Sequence, residues 1–211
     1  MDEKFRCGFV SIIGAPNSGK STLINNIIGY KVAIISDKPQ TTRNRILGIK
    51  SEADSQLIFI DTPGIHTSTK LMNKNMVKIA LGTLNEVDVI LFIIDAHKKM
   101  NEELDQIFEK LVTVKKEIII VLNKVDLIDK KILLPLIETI NQKYKYETII
   151  PISALKNDGV DKLLLEIHKK IPYGHAFYSE EMYTDLSERF LSSEIIREKL
   201  FNLTYQEIPY S

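Results

Sequence analysis

A glycine-rich stretch between an apolar run and a helical pattern carries the clearest chemistry in this sequence. It reads Gly14-Ala-Pro-Asn-Ser-Gly-Lys-Ser21, the P-loop pattern in its required context of strand, loop and helix. Its glycines let backbone N–H groups turn toward phosphate oxygens, and the start of the helix adds its positive dipole end. In this pattern Lys20 bridges the β- and γ-phosphates, and the Ser21 hydroxyl coordinates Mg²⁺. The loop residues predicted to bind a nucleotide are Gly14, Asn17, Ser18, Gly19, Lys20, Ser21 and Thr22.

A second motif, Asp61-Thr-Pro-Gly64, follows the third apolar run. A carboxylate at the end of a strand can reach Mg²⁺ through a water molecule, which makes Asp61 a candidate metal ligand. The backbone N–H of Gly64 is a candidate donor to a γ-phosphate. These four residues also form ordinary turns, and the motif gains weight because it opens a polar loop that could move with nucleotide state.

Two further motifs follow later apolar runs and predict recognition of the base. The Asp126 carboxylate of Asn123-Lys-Val-Asp126 can accept two hydrogen bonds from guanine, whereas adenine has no such donor pair. Asn123 is expected to tie this loop to the P-loop, and Lys124 is expected to pack its stem over the base. In the Ser153-Ala154 pair, the Ala154 N–H could meet the guanine O6 atom. The ordered series of motifs favours guanine over adenine nucleotides.

Six apolar runs of strand length alternate with helical patterns and must position these motifs. Several runs lack polar alternation, which is typical of strands covered on both faces in a mostly parallel sheet. Only Ser51–Ser55 separates the second and third runs, so these two form a hairpin and one strand is antiparallel. The sequence predicts an α/β fold: a P-loop NTPase with a doubly wound mixed sheet of six strands, flanked by helices. The predicted strands are Phe9–Ile13, Ile46–Ile49, Leu57–Ile60, Val87–Ile94, Ile118–Leu122 and Thr148–Ile152, and the helical patterns cover 23–28, 76–84, 104–112, 133–140 and 160–167.

The composition narrows the class of protein. The 211 residues include 28 Lys and Arg and 28 Asp and Glu, and this zero net charge argues against wholesale binding of nucleic acid. Cys7 is the single cysteine, so no intrachain disulfide forms and a reducing compartment fits best. No apolar stretch reaches the ~18 residues that cross a bilayer, and the amino terminus lacks the plan of a signal peptide. These features predict a cytoplasmic protein.

The pattern of elements changes after residue 171. Residues 1–171 are predicted to form the nucleotide domain, and 172–183, which begins Pro172-Tyr-Gly, a linker. Residues 184–211 contain one helix-like stretch, 184–203, whose apolar residues have no partner elements of their own. The sequence therefore predicts that 184–211 is the start of a second domain.

The motifs together resemble the Era family of ribosome-assembly GTPases. The resemblance rests on the P-loop, on Lys38-Pro-Gln-Thr-Thr-Arg43, on the Asp61 and Asn123 motifs, and on the tail from Arg189 with its Arg197-Glu-Lys-Leu-Phe run. It implies a slow, Mg²⁺-dependent GTPase that converts GTP to GDP and phosphate and acts as a molecular switch in small-subunit biogenesis. It also implies a carboxyl-terminal KH-type domain that binds small-subunit, 16S-type rRNA on the 30S-type subunit, and peripheral contact with the inner face of the cell membrane.

The resemblance assigns roles to further residues. Thr42 matches the threonine that closes over Mg²⁺ and the γ-phosphate, with the neighbouring Thr41 as the alternative. Asn17 matches the asparagine with which related enzymes hold K⁺, and its alternative role is that of a turn residue. The predicted catalytic residues are thus Lys20, Thr42 and Gly64, and the predicted metal ligands are Ser21, Thr42 and Asp61.

The sequence departs from its relatives at two places. Ile65 occupies the position where Ras-type enzymes carry the glutamine that orients the attacking water, so intrinsic turnover should be slow. No glycine follows Gly174, whereas a KH domain grips RNA with a G-x-x-G loop. We therefore expect the chain to be truncated within its KH-type domain, with the RNA site in the part that is missing.

Two alternatives remain at this point. The chain could be a nucleotide-gated binding module with negligible turnover, which Ile65 would favour. It could also be an RNA-modification or other GTPase from a neighbouring family, and the residues that follow Ser211 would decide this.

Overall fold

The computed structural model describes residues 5–33, 46–61 and 87–203. Of the predicted features, Thr41, Thr42, Gly64, Ile65 and the helical pattern at 76–84 lie outside these ranges, and only the backbone of Asp61 is described. The strands are β1 (Arg6–Gly14), β2 (Ile46–Glu52), β3 (Ser55–Asp61), β4 (Val89–Asp95), β5 (Glu117–Asn123) and β6 (Ile149–Pro151). The described helices are α1 (Lys20–Ile28), α2 (Glu102–Leu111), α3 (Lys130–Tyr144), α4 (Val160–Lys170) and α5 (Glu188–Leu203).

The strands form one sheet in the order β2-β3-β1-β4-β5-β6. β2 and β3 pair antiparallel across their short turn, and every other pairing is parallel. This confirms the predicted mixed sheet of six strands with one antiparallel member. Because β1 and β4 lie at its centre, the P-loop emerges from the middle of the carboxyl edge of the parallel strands.

β4 shows how this sheet separates two apolar layers. All seven of its residues are buried, and successive side chains point to opposite faces. Phe92 packs in the layer that contains Phe108 of α2 and Ile140 of α3. Leu91 packs in the layer that contains Leu23 of α1 and Leu163 of α4. The uninterrupted apolar sequence of this strand therefore reflects helices on both faces.

Helix α1 ends at Ile28, the last residue of the predicted helical pattern at 23–28. Gly29 adopts a left-handed conformation with φ of 79°, and its N–H donates to the Asn25 carbonyl at 2.9 Å. The Asn25 side chain accepts from the N–H groups of Val32 and Ala33 at 3.0 and 2.9 Å, and so fixes the chain that leaves the helix.

The predicted linker, 172–183, lies against the sheet. The Cys7 N–H donates to the Pro172 carbonyl at 3.1 Å, and the Gly174 N–H donates to the Phe5 carbonyl at 3.0 Å. Farther along, the fully buried Gln56 of β3 accepts through Oε1 from the N–H groups of Phe177 and Tyr178 at 2.8 and 3.0 Å. Its Nε2 donates back to the Tyr178 carbonyl at 2.9 Å. Backbone bonds at Pro172 and Gly174 and the side chain of one glutamine thus hold this segment in place.

Helix α5 is attached to the end of α1. The Lys31 ammonium lies 2.7 Å from a carboxylate oxygen of Glu198, which is 6% exposed. The Tyr30 and Tyr183 rings stack with centroids 4.6 Å apart, and the Ile49 N–H on β2 donates to the Tyr183 carbonyl at 2.9 Å. The start of the predicted second domain is therefore in contact with the nucleotide domain.

Within the described residues, no helix combines the length and apolar character needed to cross a bilayer.

Candidate functional site

The P-loop connects β1 to α1, and the ammonium group of Lys20 lies at its centre. Lys20 is the first residue of α1 and is 8% exposed. Its Nζ donates to the carbonyls of Gly14 and Ala15 at 3.0 and 2.9 Å, so the ammonium group is held across the loop. A turn bond from the Ser18 N–H to the Ala15 carbonyl, 3.3 Å long, closes the loop. A cation beside the amino terminus of a helix suits a polyphosphate.

Two positions of the loop require glycine because of their packing, in addition to the predicted need for backbone N–H groups that face a phosphate. Gly19 has φ of 99°, and a Cβ there would lie 2.1 Å from Asn123 Nδ2. A Cβ on Gly14 would lie 2.5 Å from the Ile93 carbonyl oxygen on the neighbouring strand. Side chains at either position would push the P-loop away from the strands that position it.

Asn123, the first residue of one base-recognition motif, joins the P-loop to the other. Its Nδ2 donates to the Ser18 carbonyl at 2.7 Å, and its Oδ1 accepts from the Ala154 N–H at 2.9 Å. The side chain is buried, at 1% exposed, so both bonds are shielded from water. This arrangement contains the tie between loops that the sequence predicts. It also engages the Ala154 N–H, so a contact of that group with guanine O6 would have to be shared, and the contact stays a prediction.

Asp126 lies in a single 3₁₀ turn, Val125–Leu127, directly after the left-handed residue Lys124. Its carboxylate is 3.9 Å from the Lys156 ammonium, and its side chain is 10% exposed. The Ser153 Oγ accepts from the Lys156 N–H at 3.2 Å within its own turn. The Val125 N–H donates to the Ile152 carbonyl at 3.2 Å, which places the Ser153-Ala154 segment beside the turn of Asp126. The two motifs that predict base recognition therefore meet at one end of the sheet.

Two polar residues that sequence reasoning missed support this loop. Asp95 ends β4, and its Oδ2 lies 2.7 Å from Lys124 Nζ. Asn26 of α1 donates through Nδ2 to the Ala154 carbonyl. Asp95 could have been noticed as a carboxylate at a strand end, like Asp61. Asn26 gives no such signal because its partner is 128 residues away.

The chemistry of the loop fits a Mg²⁺-nucleotide. The donors are the Lys20 ammonium and the N–H groups at the start of α1, which match phosphate oxygens, while the Ser21 hydroxyl offers Mg²⁺ the hard oxygen ligand that it prefers. The described residues hold no group of three His, Cys, Asp or Glu side chains that could bind a metal by themselves. Thr42, Gly64 and the Asp61 side chain lie outside the described parts.

Comparison with known proteins gives a consistent set of relatives. Residues 9–124 match the family described as 50S ribosome-binding GTPase. GTPase Era of Geotalea uraniireducens is 49% identical over 210 residues, which are 100% of this chain and 71% of that protein.

Two solved structures are similar over nearly the whole chain. One is Era in complex with MgGDPNP and nucleotides 1506–1542 of 16S ribosomal RNA, with a TM-score of 0.87 and 44% identity over 97% of this chain and 70% of that one. The other is a variant of Aquifex aeolicus Era bound to GDP·AlF4⁻, with a TM-score of 0.86 and 43% identity over the same shares.

Proposed function

We propose a function from one premise: this chain belongs to the Era family of GTPases. It binds GTP and GDP with Mg²⁺, hydrolyses GTP, and acts as a molecular switch in the assembly of the small ribosomal subunit. The structural observation that supports nucleotide binding is the Asn123 amide, which bonds the phosphate loop on one side and the predicted base-recognition segment on the other. This amide places the two segments side by side, as a ligand with both phosphates and a base requires.

The residues suggest how the reaction proceeds. Water attacks the γ-phosphate in line with the leaving oxygen, and negative charge spreads over the phosphate oxygens in the transition state. Lys20 and the loop N–H groups stabilise that charge from positions fixed beforehand, since the ammonium group is already held by the Gly14 and Ala15 carbonyls. The Ser21 hydroxyl would hold Mg²⁺, and the bound ion would neutralise charge on the β- and γ-phosphates. We assign the closing hydroxyl to Thr42, with Thr41 as the alternative, and the γ-phosphate amide to Gly64.

Guanine is selected by Asp126, because a carboxylate pairs with the N1–H and the exocyclic amine together. Asp126→Asn should weaken GTP at least about 100-fold. It should also improve xanthosine triphosphate relative to GTP, since the new amide can donate to the second oxygen of xanthine. Titration of the variant with both nucleotides measures this, and an unchanged affinity for GTP would contradict the assignment.

A measurement of GTP hydrolysis distinguishes a switch that hydrolyses GTP from a module that only binds it. Phosphate release from GTP should be measurable but slow, and should stop when Mg²⁺ is chelated. Lys20→Ala is the matched variant, because it removes the cation at the phosphates and leaves Asp126 in place. Binding of GTP without any release of phosphate would favour the module.

The partner we propose is small-subunit rRNA. The related Era was crystallised with a segment of 16S ribosomal RNA, and this chain spans about 70% of that protein. The chain has no G-x-x-G loop after Gly174, so we place the specific RNA site in the remaining part of the family's domain plan.

A filter-binding assay with the 3′ end of small-subunit rRNA tests this placement. The 211-residue chain should bind weakly and lose that affinity as salt is added. A chimaera carrying the carboxyl-terminal third of a relative should bind tightly. Salt-resistant, sequence-selective binding by the chain alone would place the RNA site within its own residues.

We also propose a cytoplasmic location with peripheral contact at the membrane, as the family resemblance implies. Fractionation of cells that express the chain tests it: most of the protein should remain in the supernatant, and the pelleted part should be released by high salt. Pelleted protein that only detergent releases would contradict a peripheral contact.

A further inference from the structure

The Asp95 carboxylate lies beneath the base-recognition loop and is nearly inaccessible to solvent, at 7% exposed. Its Oδ2 accepts from Lys124 Nζ at 2.7 Å, and its Oδ1 accepts from the His97 N–H at 3.1 Å. Both oxygens are therefore used. The carboxylate is buried and the Lys124 side chain is 30% exposed, so a short charged hydrogen bond restrains the end of the lysine at the edge of the solvent.

The sheet fixes where this carboxylate lies. In the parallel pairing of β4 with β5, Asp95 is directly opposite Asn123, the residue before Lys124. The Ala96 N–H donates to the Asn123 carbonyl at 2.8 Å and extends the ladder by one bond. The position of Asp95 thus follows from strand register and does not depend on a bound nucleotide.

Lys124 would lose both a strained backbone conformation and an ordered side chain if its position were not restrained. Its backbone is left-handed, with φ of 66°, a conformation that is strained for a non-glycine residue. Its long side chain has many rotamers when it is unrestrained. A stem that must pack over a base binds better when it is already ordered, because its rotamer entropy has been lost before binding.

From this geometry we infer that Asp95 is a positioning residue for the nucleotide: it fixes the Lys124 ammonium so that the lysine stem is ready to pack over the base. The inference rests on the proposed function, because it assumes that the loop binds guanine. Asp95 acts through Lys124, because its two carboxylate oxygens are bonded to the Lys124 ammonium and the His97 N–H.

Two substitutions test the role. With a fluorescent GDP analogue, Asp95→Ala should weaken binding about tenfold, mainly through faster release, since a hydrogen bond between charged groups is lost. Asp95→Asn keeps the size of the side chain and an acceptor for His97 but loses the charge, so its loss should be smaller, about threefold. Denaturation of each variant in urea shows whether it is folded.

The chain offers a matched control in a second aspartate–lysine pair. The Asp105 carboxylate of α2 lies 2.7 Å from the Lys143 ammonium of α3, the same distance as between Asp95 and Lys124. This second pair lies on the surface formed by α2 and α3. Asp105→Asn breaks this pair and should leave GDP affinity unchanged.

A double-mutant cycle separates positioning from a general structural role. If Asp95 acts through Lys124, then Asp95→Ala should change GDP affinity less than about twofold when Lys124 is already alanine. Inosine diphosphate, which lacks the exocyclic amine read by Asp126, should lose affinity by the same factor as GDP in Asp95→Ala. A change confined to one of these nucleotides would contradict action through the face of the base.

The inference is overturned if folded Asp95 variants bind GDP as well as, or better than, the unsubstituted chain. It is also overturned if the loss is equally large without Lys124. Failure of the proposed function gives a different result: the unsubstituted chain would not prefer GDP to ADP.

Discussion

At the level of single residues, the Asn123 amide keeps the P-loop and the Ser153-Ala154 segment at a fixed separation. Its two bonds, of 2.7 and 2.9 Å, reach a carbonyl on one loop and an N–H on the other. Gly19 lies against this amide, and the space where its side chain would be is already occupied. The backbone conformation at this position and its packing against Asn123 therefore both require glycine.

Gly19→Ala should be damaging for that reason. The new Cβ would meet Asn123 Nδ2 at 2.1 Å, and a side chain at φ of 99° is strained in addition. We expect a loss of more than about 2 kcal/mol in the free energy of unfolding and at least about tenfold weaker GDP binding.

Gly29→Ala is the matched control, because Gly29 is also left-handed but a Cβ at that position would have nothing within 4 Å. It should cost only the strain, about 1 kcal/mol. Urea denaturation and GDP titration of both variants measure the difference. Equal losses would show that the contact with Asn123 does not matter.

Asn17 is a second left-handed residue of the P-loop, with φ of 60°, and its side chain is exposed. If it holds K⁺ near the phosphates, then K⁺ should accelerate GTP hydrolysis relative to Na⁺ at equal ionic strength. Asn17→Gly should abolish that difference, because glycine keeps the backbone conformation and removes the side-chain oxygen. Phosphate release in the two salts measures this, and equal rates in the unsubstituted chain would leave Asn17 as a turn residue.

At the level of elements, an aromatic cluster joins α2 to α3 on the face of the sheet opposite α1. The Phe108 ring stacks on Tyr144 with centroids 4.1 Å apart and meets Phe92 of β4 edge-on at 5.3 Å. Tyr146, just after α3, is 9% exposed and lies 5.7 Å from the Phe108 ring centroid. Burial raises the pKa of Tyr146 to about 12, because the charged phenolate is poorly solvated there.

This shift predicts a loss of stability in alkali. In the unfolded chain the tyrosine ionises near its ordinary pKa of 10, whereas in the fold it stays neutral until about pH 12. Its contribution is therefore complete below pH 10 and is lost as the pH rises through 12, by roughly 2–3 kcal/mol.

Guanidinium denaturation between about pH 8 and 12 measures this loss. Tyr146→Phe should be less sensitive to pH above 10, because the substituted ring cannot ionise. Tyr30→Phe alters a ring that is 61% exposed and serves as the control. The same fall in stability with and without the Tyr146 hydroxyl would assign it to other groups.

At the level of the whole molecule, the predicted start of the second domain is attached where α1 ends and the chain enters residues 34–45, which contain Thr41 and Thr42. The contacts are the Lys31–Glu198 ion pair and the stacked rings of Tyr30 and Tyr183. The P-loop thus precedes α1, and α5 contacts the chain just after the other end of α1.

Removal of the buried carboxylate should release α5. Glu198→Ala should weaken its attachment by about 2 kcal/mol, because the Lys31 ammonium loses its partner. Hydrogen exchange across 188–203 should become at least about tenfold faster while GDP affinity is retained. Glu194→Ala breaks the neighbouring pair with Arg197 within α5 and should have a smaller effect. Unchanged exchange in Glu198→Ala would show that other contacts hold the helix.

Residues that lie close together in the chain were sufficient to predict the fold class, the P-loop and the extent of the first helical pattern. Hydrophobic periodicity reports which faces are buried, and a short motif carries its own backbone geometry. The helical pattern that ends at residue 28 and the antiparallel hairpin of β2 and β3 are examples.

Which distant polar groups meet became clear only in the folded chain. The bonds between Asp95 and Lys124, between Asn26 and Ala154 and between Gln56 and Tyr178 span 29, 128 and 122 residues. Each depends on which elements are neighbours in the sheet, and periodicity does not encode this because a strand shows the same apolar pattern beside any neighbour. For this reason the binding motifs were visible in the sequence, whereas the residues that hold them in place became visible only in the folded sheet.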